Sequence, residues 1–251
     1  EDNLQERIFT PLGMHNTSTN EDGFLATANG NTPHETTVRN GKIHTAPMEG
    51  EEQALHWLTV IGAAGGINST VTDMMQWCRL HLSNGVVDGD TLLSAAQMDY
   101  LHMGQLITSQ TDTKTNIYAP CWFVEQNNRY RVWFHTGTTW GFTAICAFVP
   151  ELDLGLMWLS NCEPPSDPRY AIMRHVIDYY MDLPFQDYSR QALEKFLVEA
   201  LERENKKKKE QASRVAEPPA PYPHYVGTYT HQAMGEAVIT LENGNLYITL
   251  G

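Results

Sequence analysis

The residues best suited to chemistry in this 251-residue chain are His135-Thr136-Gly137 and the Thr138 that follows. His135 can supply a proton or a positive charge near neutral pH, where imidazole changes charge. Thr136 offers a hydroxyl to a substrate carboxylate. Gly137 has no side chain, so a substrate can lie along the backbone there and pair with it as an added strand. The Thr138 N–H can then point at a developing oxyanion, a donor of a type worth about 2.7 to 4 kcal/mol in other hydrolases. These four residues fit acyl transfer at an amide or ester carbonyl. Taken alone, the tripeptide fits a half-buried histidine at a strand end better than a catalytic one, because short motifs recur by chance.

Other candidates carry less chemistry. Trp140, Tyr118 and Trp122 can line a cleft, although aromatic side chains beside strands more often fill cores. Gly65-Gly66 reads as a tight turn before a helix, since neither G-x-G-x-x-G nor a P-loop lysine accompanies it. The ten histidines include no H-E-x-x-H, and Cys78, Cys121, Cys146 and Cys162 show no C-x-x-C or zinc-type spacing. Buried thiols are expected, with no metal or other cofactor implied.

Several elements must position these residues. The chain opens on an amphipathic helix in mid-course, ending at Pro11-Leu12-Gly13. Residues 16–52 are rich in Asn, Thr, Gly and His without sustained periodicity, and read as a long surface excursion bordering a site. A helix follows from Ser69 or Thr70 to Asn84-Gly85, with Asp73 favouring its positive end, and a shorter one spans 94–102 with Ser94 as cap. The period then changes to strands over 118–125, 130–136, 142–149 and 154–160, whose short connections imply antiparallel neighbours. Ala144-Ile145-Cys146-Ala147-Phe148-Val149 is apolar throughout, so both faces of that strand should be covered.

Asp167-Pro168 offers a cap and a preset first residue for a helix carrying Ile172 and Val176. A further helix from Ser189 is expected to bury Leu193, Phe196, Leu197, Ala200 and Leu201 before reaching the solvated run Lys206-Lys207-Lys208-Lys209. The stiff stretch Glu217-Pro218-Pro219-Ala220-Pro221-Tyr222-Pro223 marks a domain boundary. The expected organisation is one mixed α/β domain at 1–185, a helix and linker at 186–224, and the start of a small β module at 225–251 with an Asn243-Gly244 turn. Its last strand has no evident closing partner, and both ends of the chain read as cut.

A net charge of −13 disfavours nucleic acid and anionic lipid surfaces as partners. No run approaches the roughly 20 apolar residues of a transmembrane segment. Oligomeric state is not legible.

Four blocks resemble the serine β-lactamase-like hydrolases, which include class C β-lactamases, DD-peptidases, D-aminopeptidases and esterases. They are Arg7-Ile8-Phe9-Thr10-Pro11-Leu12-Gly13-Met14 with Thr17; Ala64-Gly65-Gly66-Ile67-Asn68-Ser69-Thr70 with Asp73-Met74; His135-Thr136-Gly137 with Trp140-Gly141-Phe142; and Val149-Pro150, Gly155-Leu156 and Leu159-Ser160-Asn161. The resemblance implies an antiparallel sheet flanked by helices, with His135-Thr136-Gly137 walling the catalytic cleft. By the same resemblance His135 is an electrostatic or proton-relay group, Thr136 anchors substrate, and Thr138 N–H is one oxyanion donor. Histidine in place of the usual lysine resembles some DD-peptidases and D-aminopeptidases rather than a dedicated β-lactamase. Family members are often exported, so a periplasmic or secreted location is expected.

The family's nucleophile lies in S-x-x-K, assisted by Y-x-N. No serine here has lysine three residues on, and no tyrosine begins Y-x-N or Y-x-S. In the family both motifs precede the Arg7 block, so the expectation is a serine hydrolase fragment, inactive alone, from an enzyme acting through an acyl-enzyme on a D-amino-acid peptide or ester-like substrate. The alternative is a non-catalytic protein of the same fold that binds peptidoglycan or peptides.

Overall fold

The computed structural model describes residues 2–27, 30–39, 42–49, 62–163, 167–213 and 220–251. They form two compact units, Glu1–Ala200 and Leu201–Gly251. Among the described residues no helix is long and apolar enough to cross a membrane.

The centre of the first unit is a six-stranded antiparallel sheet. Preceding it in the chain are two hairpins, β1 (His34–Arg39) with β2 (Lys42–Pro47) and the short β3 (Val86–Val87) with β4 (Asp90–Thr91). The sheet itself is β5 (Leu106–Gln110), β6 (Lys114–Ala119), β7 (Trp122–Asn127), β8 (Arg131–Thr139), β9 (Phe142–Val149) and β10 (Leu154–Ser160), each paired with the next. Each connection is short, which lets successive strands pair as neighbours.

Both faces of the central strands are covered, as the unbroken apolar run of β9 requires. On one face Val132, Phe134, Ile145, Ala147 and Val149 pack with Met173 and Ile177 of the helix Pro168–Tyr180. On the other, Trp122, Val124, Trp133, Cys146 and Phe148 pack with Cys78 of the helix Val71–Leu82. Side chains alternate along a strand, so β8 sends Val132 and Phe134 one way and Trp133 the other.

The helix Val71–Leu82 is capped by Thr70, whose side chain accepts from Asp73 N–H, and it leaves through two left-handed residues, Asn84 and Gly85. The helix Ala95–His102 begins with a full capping box between Ser94 and Gln97. A buried polar knot fixes the first of these helices to the opening block. The Asp73 carboxylate accepts from Asn16 N–H at 2.7 Å and from the Thr17 hydroxyl at 2.8 Å, and Thr17 lies 2.8 Å from the Ser69 hydroxyl. With Thr17 and Asp73 only 5% and 4% exposed, removing the carboxylate leaves the buried Thr17 hydroxyl and the Asn16 N–H without their shared acceptor. Asp73→Ala is therefore expected to cost about 3 kcal/mol in urea unfolding, while Asp73→Asn, which retains an acceptor, costs clearly less.

Several expected elements are placed differently. Residues 118–125 form a hairpin rather than one strand: Cys121 takes φ 72° and Ala119 pairs with Trp122, so the chain reverses between them. The neighbouring β5 has no strand signature in the sequence, because its side chains are exposed throughout and carry no apolar alternation. Within residues 16–52 lie a short helix, Glu21–Leu25, and the β1–β2 hairpin, so that stretch is ordered into elements where it is described. Asp167 does not cap its helix. It takes φ 42° and pairs with Arg169 instead.

The helix Tyr188–Ser213 buries none of its residues fully; Leu193, Phe196, Leu197 and Ala200 are half-buried, and Leu201 is exposed. The second unit holds a three-stranded sheet, β11 (Gly227–His231), β12 (Gly235–Glu242) and β13 (Asn245–Leu250). The last strand thus has a partner: β12 pairs along it from Ala237↔Leu250 to Glu242↔Asn245 around the Asn243-Gly244 turn. The Glu217-Pro218-Pro219 part of the expected boundary lies outside the described residues, as do residues 28–29, 40–41 and 50–52 of the expected excursion.

Candidate functional site

The His135-Thr136-Gly137 segment occupies the second half of β8, and its pairing there is one-sided. On the β9 side the ladder runs without interruption from Trp133↔Phe148 through His135↔Cys146 and Gly137↔Ala144 to Thr139↔Phe142. On the β7 side it stops at Phe123↔Phe134. β7 begins at Trp122, which this register sets opposite His135, so the pairing stops at Phe134 and residues 136–139 run on past the end of β7. Among the described residues nothing pairs with that edge.

The turn that ends β8 decides which backbone groups face outward. Trp140 and Gly141 take φ 37° and 76° between the closing pair Thr139↔Phe142, a two-residue hairpin of the primed type. In such a hairpin the closing pair exchanges both hydrogen bonds, and bonded and non-bonded pairs alternate from there. Thr139, Gly137 and His135 therefore direct their main-chain groups at β9, whereas Thr138 and Thr136 direct theirs at the open edge.

Gly141 is required by its surroundings. Besides its left-handed backbone, a Cβ there would lie 2.6 Å from Met48 Sδ and 3.0 Å from the His34 backbone, where the β1–β2 arm crosses the turn. Phe24 adds an edge-on ring contact to Phe142 at 6.4 Å. The excursion expected from composition to border a site thus lies against the end of this strand. Gly137 is different. The nearest atom to a Cβ there is Ala144 Cβ at 4.0 Å, so packing leaves ample room for a side chain.

The side chains distribute unevenly around the ledge. His135 is exposed and its ring lies 5.5 Å from that of Phe123. Tyr118 sits on β6 with its ring 4.8 Å from the other side of this contact, at Phe123, so Phe123 stands between Tyr118 and His135. Trp140 occupies the turn, half-buried, and its Nε1 is buried without a hydrogen-bond partner among the described residues. Trp122 belongs to the core, 5% exposed.

One residue at the ledge escaped the sequence reading. The Arg169 guanidinium donates to the Gly137 carbonyl at 2.7 Å and to the Thr138 hydroxyl at 3.0 Å, while Asp167 holds its other side through two bonds of 2.6 and 2.9 Å. The Asp167 contact raises the Arg169 pKa further above its already high value, so the cation is permanent. An arginine 32 residues from Gly137 gives no local signal; only the helix Pro168–Tyr180 crossing the sheet brings it there.

A cavity of about 270 Å³ lies elsewhere, lined by Lys114, Glu125, Arg174, Phe123, Phe134 and Tyr170. Its charges are mutually engaged: the buried Glu125 accepts from Lys114 at 3.0 Å and Arg174 at 3.3 Å. The ledge of β8, by contrast, is open on one side and furnished with outward backbone groups.

This architecture is found in solved structures. One is the octameric penicillin-binding protein homologue from Pyrococcus abyssi, with 14% identity and a TM-score of 0.58, where the match covers 100% of this chain and 48% of that one. Another is a protein named SurE, with 17% identity and a TM-score of 0.53, covering 98% of this chain and 50% of the other. The chain thus spans about half the length of these structures. The Beta-lactamase family model matches residues 1–179, and the chain belongs to that family.

Proposed function

We propose that this chain supplies the substrate wall of a serine-hydrolase cleft in which an amide, peptide or ester carbonyl is acylated onto a serine and then released by water. The observation that carries the reading is the unpaired edge of β8 over residues 136–139. A peptide-like substrate would lie along this edge and bond the outward groups of Thr136 and Thr138 as an added strand. Its carbonyl oxygen would receive the Thr138 N–H as one oxyanion donor. Gly137, where neither packing nor a positive φ calls for glycine, supports close approach by something outside the sheet. His135, exposed at the start of the ledge, would act as the electrostatic or proton-relay group, and the Thr136 hydroxyl would anchor substrate. Trp140 and Tyr118 would bound the ledge at its turn and beyond Phe123.

The nucleophile has no candidate of the S-x-x-K type among these 251 residues, so in this reading it comes from residues outside this sequence, in the same polypeptide or in a companion chain. The test is labelling of the full-length gene product with a fluorescent β-lactam and with a fluorophosphonate. A serine adduct on the folded protein, weakened by Gly137→Ala at unchanged thermal stability, is the expected result. Absence of any adduct, with D-amino-acid peptides still binding at the ledge, would instead establish a non-catalytic peptide-binding protein.

A further inference from the structure

We infer that Cys78 and Cys146 form an oxidisable dithiol, a modification site at which a peroxide converts two buried thiols into a disulfide joining the helix Val71–Leu82 to β9. Their sulfurs are 3.5 Å apart although the residues are 68 positions apart in the chain. Both are secluded, at 0% and 8% exposure, among Ala119, Trp122, Val124, Trp133 and Phe148. Forming the bond brings the sulfurs to about 2.05 Å, an approach of roughly 1.5 Å. That lies within the reach of side-chain rotation at two small residues.

The helix reaches the sheet this closely because β10 carries Gly155 beneath it. A Cβ at that position would lie 2.9 Å from Cys78 Cβ and 3.2 Å from Met75 Cε. Any larger residue would push the helix, and Cys78 with it, off the sheet. On the other side Cys146 is fixed in register between Met157 of β10 and His135 of β8. The contact thus sits directly beside the strand position that faces His135.

The two sulfurs are not equivalent. Their mutual contact lowers the Cys78 pKa and raises that of Cys146, while burial acts upward on both. The same disulfide follows whichever sulfur attacks first. When it is Cys78, its sulfur takes one oxygen of hydrogen peroxide as the O–O bond breaks; the departing hydroxide collects a proton to become water, leaving a sulfenic acid. Cys146 sulfur then attacks Cys78 sulfur, the S–O bond breaks, and the released hydroxide leaves as water with the Cys146 proton. In sum, two thiols and one peroxide give one disulfide and two waters. Peroxide is small enough to reach the pair through local opening, whereas a bulky disulfide reagent is not.

The exposed Cys121 and the half-exposed Cys162 serve as internal controls. The full-length protein, first reduced, is treated with hydrogen peroxide, unfolded, and alkylated with iodoacetamide for mass spectrometry. The expected result is a Cys78–Cys146 cross-linked peptide, two thiols protected from alkylation, restoration of both by dithiothreitol, and a higher melting temperature with slower amide exchange in β8 and β9 for the oxidised form. The double variant Cys121→Ser/Cys162→Ser should behave the same way, and Cys146→Ala should leave Cys78 unlinked. Full alkylation of Cys78 and Cys146 in protein whose Cys121 has been consumed would overturn the inference. So would a cross-link between any other two cysteines. The wild-type map decides the matter even where the core variant fails to fold, and it is independent of whether the ledge binds substrate.

Discussion

Thr138→Pro is expected to lower turnover of a chromogenic ester by the full-length protein about 100- to 1,000-fold, the loss found when an oxyanion donor is removed. Proline deletes the N–H, and at this position it does so without opening the sheet. The register places the Thr138 main-chain groups on the unpaired side of β8, where proline is tolerated in strands. The melting temperature should accordingly change little. Thr138→Val is the companion variant: it keeps the N–H, loses only the hydroxyl that accepts from Arg169 at 3.0 Å, and should stay within a few-fold of wild type. A large drop in thermal stability for the proline variant would show that the N–H was bonded to β9 and that the assigned alternation of the ladder is wrong. Equal activity losses in both variants would show that the hydroxyl, not the amide, carries the effect.

Lowering the pH from 6.5 towards 3 is expected to remove up to roughly 4 kcal/mol of stability through one buried histidine. His81 is 3% exposed, walled by Trp77, Trp122 and Phe148, and its Nδ1 lies 2.8 Å from His102 Nε2 while its own Nε2 has no partner among the described residues. Burial, and secondarily the neighbouring His102, lowers its pKa to about 3 from an ordinary 6.5. His102 is lowered as well by burial, against a weaker opposing pull from Asp99.

The sign follows from which state binds the proton. Above pH 6.5 both folded and unfolded chains hold His81 neutral, so its contribution to stability is complete. Below that the unfolded chain takes up a proton that the folded site refuses, and stability falls until the folded group itself titrates near pH 3. His81→Phe keeps an aromatic ring in the cage and removes the titration. Urea unfolding at pH 7.5, 5.5 and 4.5 should therefore show the variant gaining on wild type as the pH falls, with carboxylate effects common to both. Parallel pH profiles for the two proteins would refute the assignment.

Much of the fold was legible because local physics dominates it. Ser94 as a cap, the left-handed exit at Asn84-Gly85, and the apolar run of β9 are each written within a few adjacent residues and are placed as the sequence reads, and of the two candidate caps Ser69 and Thr70 the structure selects Thr70. The errors fall where tertiary context outweighs local pattern. The reversal at Cys121 has no strong turn pair to announce it beyond Pro120, so two antiparallel strands read as one. Asp167 looked like a cap by position, yet the partner that claims its carboxylate is the Arg169 guanidinium, itself held by the sheet. The stripe on the helix Tyr188–Ser213 has helical spacing, but spacing fixes a face and not the depth to which it is covered.

The candidate site divides in the same way. The sequence alone determined its chemical groups: an imidazole, two hydroxyls and a glycine in one strand, in blocks whose order places the chain in its family, and without an S-x-x-K serine among them. Only the tertiary structure decided that pairing with β7 stops at Phe134 while pairing with β9 runs on to Thr139↔Phe142, which leaves the Thr136 and Thr138 amides on an open edge and sets Arg169 beside it. Side-chain chemistry and short-range propensity are properties of neighbouring residues, whereas an unpaired edge is a property of where other strands stop, and no residue on β8 encodes the length of β7.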